Sequence, residues 1–237
     1  MPNLEQKKEE QPIQPIETNR HEELLERLTD FYLLNKNLII GISAAVIVLA
    51  GILFFTLRQS QSSEREALIA VSQIESLIAK GNIQAALEGD GPAKGLRDII
   101  REYGGTASGN RARLLAGEIF LSLDEIDSAM SYYKGFSGSN PDLSATARAG
   151  TAYCHQEKGE LTEAAAAYEK AAETARNPAL ASSYLADAAD TYLAMGKTDT
   201  AVALYKKIIR NYPEYASAAK ARESLLSLAG KIGNTGI

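Results

Sequence analysis

Cysteine is nearly absent from this 237-residue chain, in which Cys154 stands alone. One thiol closes no intramolecular disulfide, and Cys-rich zinc motifs are excluded with it. Histidine is as scarce, with only His21 and His155, on opposite sides of a long apolar run. They cannot meet in one metal site unless chains associate. A surplus of positive charge is also missing. The formal net charge is -5, with five Lys/Arg against eight Asp/Glu in residues 1–36 and a nearly neutral remainder. Without a basic stripe to neutralise phosphates, nucleic acid is not expected as a partner. No Gly-rich phosphate loop, metal motif or hydrolase triad is present. The chain is therefore not expected to be an enzyme or to carry a cofactor.

What is present begins with Leu38–Leu57, LIIGISAAVIVLAGILFFTL, about 20 residues with no charge. That is the length a helix needs to cross the hydrocarbon core. Its Leu, Ile, Val and Phe residues each favour insertion by roughly 0.3–0.6 kcal/mol near the centre, more than Gly41, Ser43, Gly51 and Thr56 can reverse. A cleaved signal peptide has a shorter apolar stretch and a shorter head than the tail found here. The expectation is one uncleaved transmembrane helix. Arg20, Arg27 and Lys36 precede it, against Arg58 and Arg65 after it. This small excess favours a cytoplasmic N-terminus, with the large domain in the periplasm and the span in a bacterial inner membrane.

Residues 1–19 are polar, with Pro2, Pro12 and Pro15 and no apolar period, and read as disordered. Over 20–37, Leu24, Leu25, Leu28, Phe31 and Tyr32 recur at helical spacing opposite Glu22, Glu23, Glu26 and Arg27. This is either an interfacial amphipathic helix or a plain helical run-in to the span. Beyond the span, Leu68, Val71, Ile74, Leu77 and Ile78 form a stripe that needs a partner. Gly81 is a plausible helix stop, and GDGPAKG (89–95) reads as a loop.

The chain then repeats itself. DIIREYGGTASGNRAR (98–113) matches KIIRNYPEYASAAKAR (207–222) at an offset of 109, about three units of 36. That period is close to the 34 of a tetratricopeptide repeat, a pair of antiparallel helices. Three units follow the small–large–small–aromatic pattern of such a repeat. They are Gly117/Phe120/Ala129/Tyr133, Ala152/His155/Ala164/Tyr168 and Ala189/Tyr192/Ala201/Tyr205. Gly159 and Gly196 suit the tight turns. The steps of 35 and 37 place a small insertion in ETARNPALA. The fold expected is all-α: one N-terminal transmembrane helix followed by a tetratricopeptide solenoid. Its parts are a polar tail (1–19), a juxtamembrane helix (20–37), the span (38–57), a connecting helix and loop (58–94), the solenoid with its capping helix (95–228) and a flexible tail (229–237).

Such arrays bind on the concave face lined by the first helix of each pair. The register assigns to it Arg111, Leu114, Glu118 and Leu121; then Thr146, Ala149, Tyr153 and Gln156; then Ser183, Ala186, Asp190 and Leu193. A clamp for a C-terminal carboxylate needs several Lys, Arg or Asn, and one Arg among acids does not make it. A mixed face of this kind suits an extended or helical protein segment. The competing expectation is that several of these side chains only pack between helices. Cys154 and His155 are neighbours on a helix, about 100° apart, and do not meet as nucleophile and base.

The order of tail, span, helix and compact repeat domain, with GLRDIIREYGGTASGNRARLLAGEIFLSL (95–123), resembles the YfgM-like family of ancillary Sec translocon subunits. The resemblance covers nearly the whole chain. It implies a periplasmic repeat domain, and as partners the translocon components, exported chains and periplasmic chaperones. It carries no catalytic signature. The alternative is a structural scaffold of a fixed cell-envelope or cell-division complex, perhaps as a homo-oligomer through the Leu68–Ile78 stripe and Gly41 and Gly51.

Overall fold

A computed structural model describes residues 18–234. The polar tail expected over 1–19 lies outside the described residues except for Thr18 and Asn19, as do residues 235–237 of the C-terminal tail. The described elements run α1 (Thr18–Ala79), α2 (Ile83–Glu88), β1 (Gly89–Asp90), β2 (Ala93–Lys94), α3 (Leu96–Tyr103), α4 (Ala107–Ser122), α5 (Ile126–Lys134), α6 (Pro141–Glu157), α7 (Leu161–Thr174), α8 (Pro178–Ala194), α9 (Thr198–Asn211) and α10 (Ala216–Asn234). They divide into two units, Met1–Arg58 and Gln59–Ile237.

In the first unit α1 is long and apolar enough to cross a membrane, and none of its most apolar window is buried within the chain. Leu24, Leu28, Phe31, Ile47, Leu49 and Phe54 are all exposed. The core helix of a soluble protein buries such residues, whereas here they are not covered within the chain.

In the second unit the chain folds into antiparallel helix pairs stacked as a solenoid. Four corners share one geometry. Gly81, Asp124, Gly159 and Gly196 have φ of 77°, 61°, 75° and 74°. At each, the corner N–H bonds the carbonyl three residues back and the next N–H bonds the carbonyl five back, as in Gly159→Gln156 and Glu160→His155. This double bond satisfies the orphan carbonyls of a helix end and needs the left-handed region at the corner. Aspartate tolerates that region better than most side chains, so Asp124 serves where the other three corners use glycine. The first helices α6 and α8 start on Asn140-Pro141 and Asn177-Pro178. Each Asn side chain caps its helix and each Pro sits in the first turn.

The corner at Gly81 belongs to the helix pair expected from the sequence before the three full units, at about 64–103, and shows that this pair keeps the repeat register. Counting back from the corners, Ala67, Val71, Ile74 and Leu77 of α1 fall where Ser182, Ala186, Ala189 and Tyr192 fall in α8. Ala86 then matches Ala201, and both are fully buried. Past Glu88 the register jumps by six residues, so that Leu96 matches Tyr205 and Ile99 matches Ile208, all four fully buried. The six extra residues are the hairpin Gly89–Lys94, where a loop was expected. Its two-residue turn is Gly91-Pro92, with Gly91 at positive φ, as is Gly89 at the base of the hairpin. The six residues of α2 and eight of α3 together equal the fourteen of α7 and of α9. They are one second helix, cut by an insertion.

This pairing corrects the expectation that the Leu68–Ile78 stripe seeks another chain. Val71 and Ile74 are 2% and 1% exposed in a core shared with Leu87, Leu96 and Ile99, and Leu77 and Ile78 pack against it. Leu68 alone of the five remains exposed. Glu64 anchors the same helix to the start of α4, accepting from the Ser108 hydroxyl at 2.6 Å and the Ser108 amide at 3.1 Å. Burial opposes its ionisation, but these hydrogen bonds outweigh it and hold its pKa below the usual carboxylate value.

Asn110, 3% exposed, ties two loops to α4. Its amide donates to the carbonyls of Gly104 (3.3 Å) and Thr106 (3.0 Å), and its oxygen accepts from the Ser137 amide (2.8 Å). Where ETARNPALA was expected to carry an insertion, α7 has fourteen residues against the nine of α5. At the end of the array, α10 continues past Leu228 to Asn234.

Candidate protein-binding face

The first helices of successive pairs pack directly on one another, α4 on α6, α6 on α8 and α8 on α10, while α5, α7 and α9 pack mainly on their neighbouring first helices. The stack therefore closes up on the first-helix side, and the residues projecting there form one continuous surface.

The repeat register sorts the twelve expected face residues into four classes. The first position is accessible: Arg111 and Ser183 are exposed and Thr146 is half-buried. The second is core in every unit, with Leu114, Ala149 and Ala186 at 5%, 8% and 2% exposure. These residues fill the contact between neighbouring first helices, so Leu114 belongs to the packing and not to the open face. The third holds Glu118 and Tyr153, exposed, and Asp190, half-buried. The fourth holds Leu121 and Leu193, half-buried against the core, and Gln156, exposed. An accessible path thus runs over Arg111, Glu118, Tyr153 and Gln156, with Asp190 at its far end.

Electrostatics divide this path into closed ends and an open middle. At one end Arg111 reaches back to Glu75 of α1, with N···O distances of 2.6 and 2.7 Å. At the other, Lys220 of α10 holds Asp190 at 2.7 Å, and the Tyr205 hydroxyl donates to the same carboxylate. These are the same pair, since Glu75 occupies the register position of Asp190, and Arg111 that of Lys220. Both are partly exposed, so each contributes about 0–1 kcal/mol.

In the middle units the cation position holds Thr146 and Ser183, and the acid position Glu118 and Tyr153. Among the described residues no cation lies within ion-pair reach of Glu118. Burial raises its pKa, with Arg111 two turns away opposing. Burial likewise raises Asp187, and Lys220 offsets this in part. The Tyr153 phenol is raised by its hydrogen bond to Glu157. The middle of the path is therefore acidic and aromatic, with carboxylates whose charge the fold leaves incompletely compensated.

Sequence reasoning missed Glu75, Asp187 and Lys220 as part of this surface. Glu75 was hidden by the hairpin that breaks the repeat register. Lys220 lies beyond the last complete pair.

Cys154 is fully buried, and burial raises its thiol to about 11. Such a thiol is inert at neutral pH. His155 instead meets Glu160 across the Gly159 corner, Nδ1 to Oε2 2.5 Å, so the pair reads as a clasp on the turn. Among the described residues no group of three or more His, Cys, Asp or Glu is placed to hold a metal.

Comparison with protein families gives two matches, each described as a tetratricopeptide repeat, over residues 147–178 and 187–215. They cover most of the pair α6–α7 and most of the pair α8–α9. No curated protein matches the chain. The architecture is an all-α tetratricopeptide solenoid behind a long apolar N-terminal helix, and repeats of this kind serve as protein-interaction modules.

Proposed function

We propose that the chain is a membrane-tethered interaction module whose first-helix face takes up a segment of another protein. The observation that carries this reading is the accessible path Arg111–Glu118–Tyr153–Gln156, laid across a rigid row of packed helices and left open in its middle. Tyr153, at 41% the exposed large apolar side chain of α6, is its natural anchor. Exposed aromatic side chains beside unpaired polar groups favour protein contact. Tethering is supported by the unburied apolar window of α1.

On the resemblance of the 95–123 segment and of the anchor-then-repeat order, the partners are components of the secretory translocon and exported chains or periplasmic chaperones. The cytoplasmic N-terminus and periplasmic repeat domain belong to the same proposal. The test is photo-crosslinking in intact membranes, with a probe at Tyr153 and, separately, at Val48. Adducts to translocon components from Val48, with diverse exported chains from Tyr153, are the expected result. One discrete partner at both positions, with no translocon component, would replace this reading with that of a fixed envelope scaffold. Protease protection of the repeat domain in spheroplasts would overturn its periplasmic placement.

A further inference from the structure

The second helices of the solenoid leave a gap between α5 and α7, floored by α6. It is a cavity of about 270 Å³, open to solvent. Among the described residues its lining carries three cations, Lys134, Arg148 and Lys170, and no carboxylate. Ser144 and the rings of Tyr133 and Phe136 complete the wall.

The repeat register shows why this gap exists here. At the next step along the array, between α7 and α9, the position of Ala147 holds Tyr184, that of Arg148 holds Leu185 and that of Ala167 holds Leu204. Those larger apolar side chains join the core there. What remains is a space of about 120 Å³ bordered by two acids, Glu169 and Glu173, and one cation, Lys207. At the preceding step, between α3 and α5, the position of Ala167 holds Tyr132, stacked on Phe120 at 5.2 Å. The position of Arg148 holds Arg113, which is drawn inward to donate to the Gly104 carbonyl at 2.5 Å and to Asn110 at 3.2 Å. Only the middle step has small residues on both walls and an arginine with no such partner.

Lys170 has a weak surface pairing with Glu173 at 3.0 Å. Lys134 and Arg148 make no ion pair with a described residue. The lining itself supplies no carboxylate to offset the three positive side chains, whereas the next step has Leu185 in place of the arginine. An entering anion would supply that charge.

We propose that this cavity binds a phosphomonoester: a phosphate dianion held by Lys134, Arg148 and Lys170, with its small organic part against Tyr133 and Phe136. The doubly charged, three-oxygen head matches three cations better than a carboxylate does, and Arg148 supplies the planar fork that grips two of its oxygens. The volume lies just under the usual range for ligand pockets, about 300–1,000 Å³, so the ligand is small. The site faces away from the first-helix path and does not depend on the protein-binding reading.

The phosphate comes either from a soluble ester or from a lipid headgroup, and one experiment separates them. Full-length protein in nonionic detergent is titrated calorimetrically at low salt with glycerol 3-phosphate and, in parallel, with dihexanoyl phosphatidic acid. Saturable binding of one ligand per chain is expected, weakened by salt. Lys134→Gln and Arg148→Gln should each weaken it about tenfold or more. Ala147→Tyr, which copies the neighbouring step without altering charge, should abolish it while the circular dichroism stays unchanged. Lys206→Gln, at the register position of Lys134 in α9, should leave it intact. Tighter binding of the phosphatidic acid assigns the site to a headgroup; equal or weaker binding assigns it to a soluble ester. Absence of saturable binding by both probes, or binding that survives Arg148→Gln and Ala147→Tyr, overturns the proposal.

Discussion

Replacing Gly117 by alanine should destabilise the solenoid, although helix propensity argues the opposite. In an exposed helix the change stabilises by about 0.8–1 kcal/mol. In α4, a Cβ at residue 117 would sit 2.7 Å from Cε1 and Cζ of Tyr133. Carbon atoms in good contact are about 3.5–4.0 Å apart, so the ring would have to retreat by almost an ångström. It has nowhere to go, because on its other side a Cβ at Gly150 of α6 would lie 2.6 Å from three ring atoms. The ring is 4% exposed, clasped between two glycine faces. Overpacking of this kind costs about 1–3 kcal/mol, and more where no neighbour can yield. Even after the propensity gain, a net loss of about 1–2 kcal/mol is expected, with Gly150→Ala behaving alike. Gly230 of α10 is the control, since nothing lies within 4 Å of its missing Cβ. Gly230→Ala should stabilise by up to about 1 kcal/mol. Urea unfolding of the full-length protein in mild detergent, followed by far-UV circular dichroism, reads both. If Gly117→Ala and Gly230→Ala move the midpoint in the same direction, the clasp argument is wrong.

Asn110→Leu should cost about 1–2 kcal/mol, because it leaves the Ser137 amide without its acceptor, while the Gly104 carbonyl keeps Arg113 and the Thr106 carbonyl keeps the main-chain amide of residue 110; a variant within 0.5 kcal/mol of the parent by the same unfolding assay would contradict this. The raised carboxyls of Glu118 and Asp187 are easier to bury protonated, so their penalty is present at neutral pH and is relieved as pH falls through their folded-state pKa values. Glu64 acts in the opposite sense, its contribution being lost only as pH falls through its lowered pKa. Stability should therefore rise on mild acidification from neutral pH before it falls, and the double variant Glu118→Gln/Asp187→Asn should be more stable at neutral pH and lack the rise; midpoints measured at steps from neutral to mildly acid pH decide it. Deleting residues 89–94 should let α2 and α3 fuse into one helix, with a loss of only about 1–2 kcal/mol, mostly for Gly95 in a helix interior; collapse of the cooperative transition would mean that the hairpin is part of the repeat and not an insertion in it.

The alternation of small and aromatic residues made the three full helix pairs readable in the sequence, because each position answers to a local packing need that recurs at every step. Gly159 and Gly196 were legible as corners for the same reason. Asp124 was not, since only its backbone, and not its residue type, declares the left-handed turn. The amino-terminal pair was half-legible. Its buried residues keep the repeat pattern, but the hairpin shifts their spacing by six, and a period cannot be read across an insertion. On the binding face, the spacing placed Arg111, Glu118, Tyr153 and Gln156 where they are accessible. It could not separate them from Leu114, which has the same spacing but lies where two first helices touch. That distinction depends on the crossing of helices far apart in sequence. The basic cavity escaped for another reason: it is made by residues that are smaller than their counterparts, and a missing side chain has no motif.

The buried residues of the solenoid do not form one body. One group links the end of α1 to α6 and another gathers around α8–α10. Between them lies a group of five, Ala149, Ala152, Tyr168, Ala171 and Ala188. Four of these five are alanines, and a methyl group removes far less surface from water than a leucine or phenylalanine. In an array held together only through neighbouring units, the middle is joined by the close approach of α6, α7 and α8 over small methyl groups and not by bulky side chains. A segment laid across α4, α6 and α8 would add to that joint the apolar area its alanines do not supply.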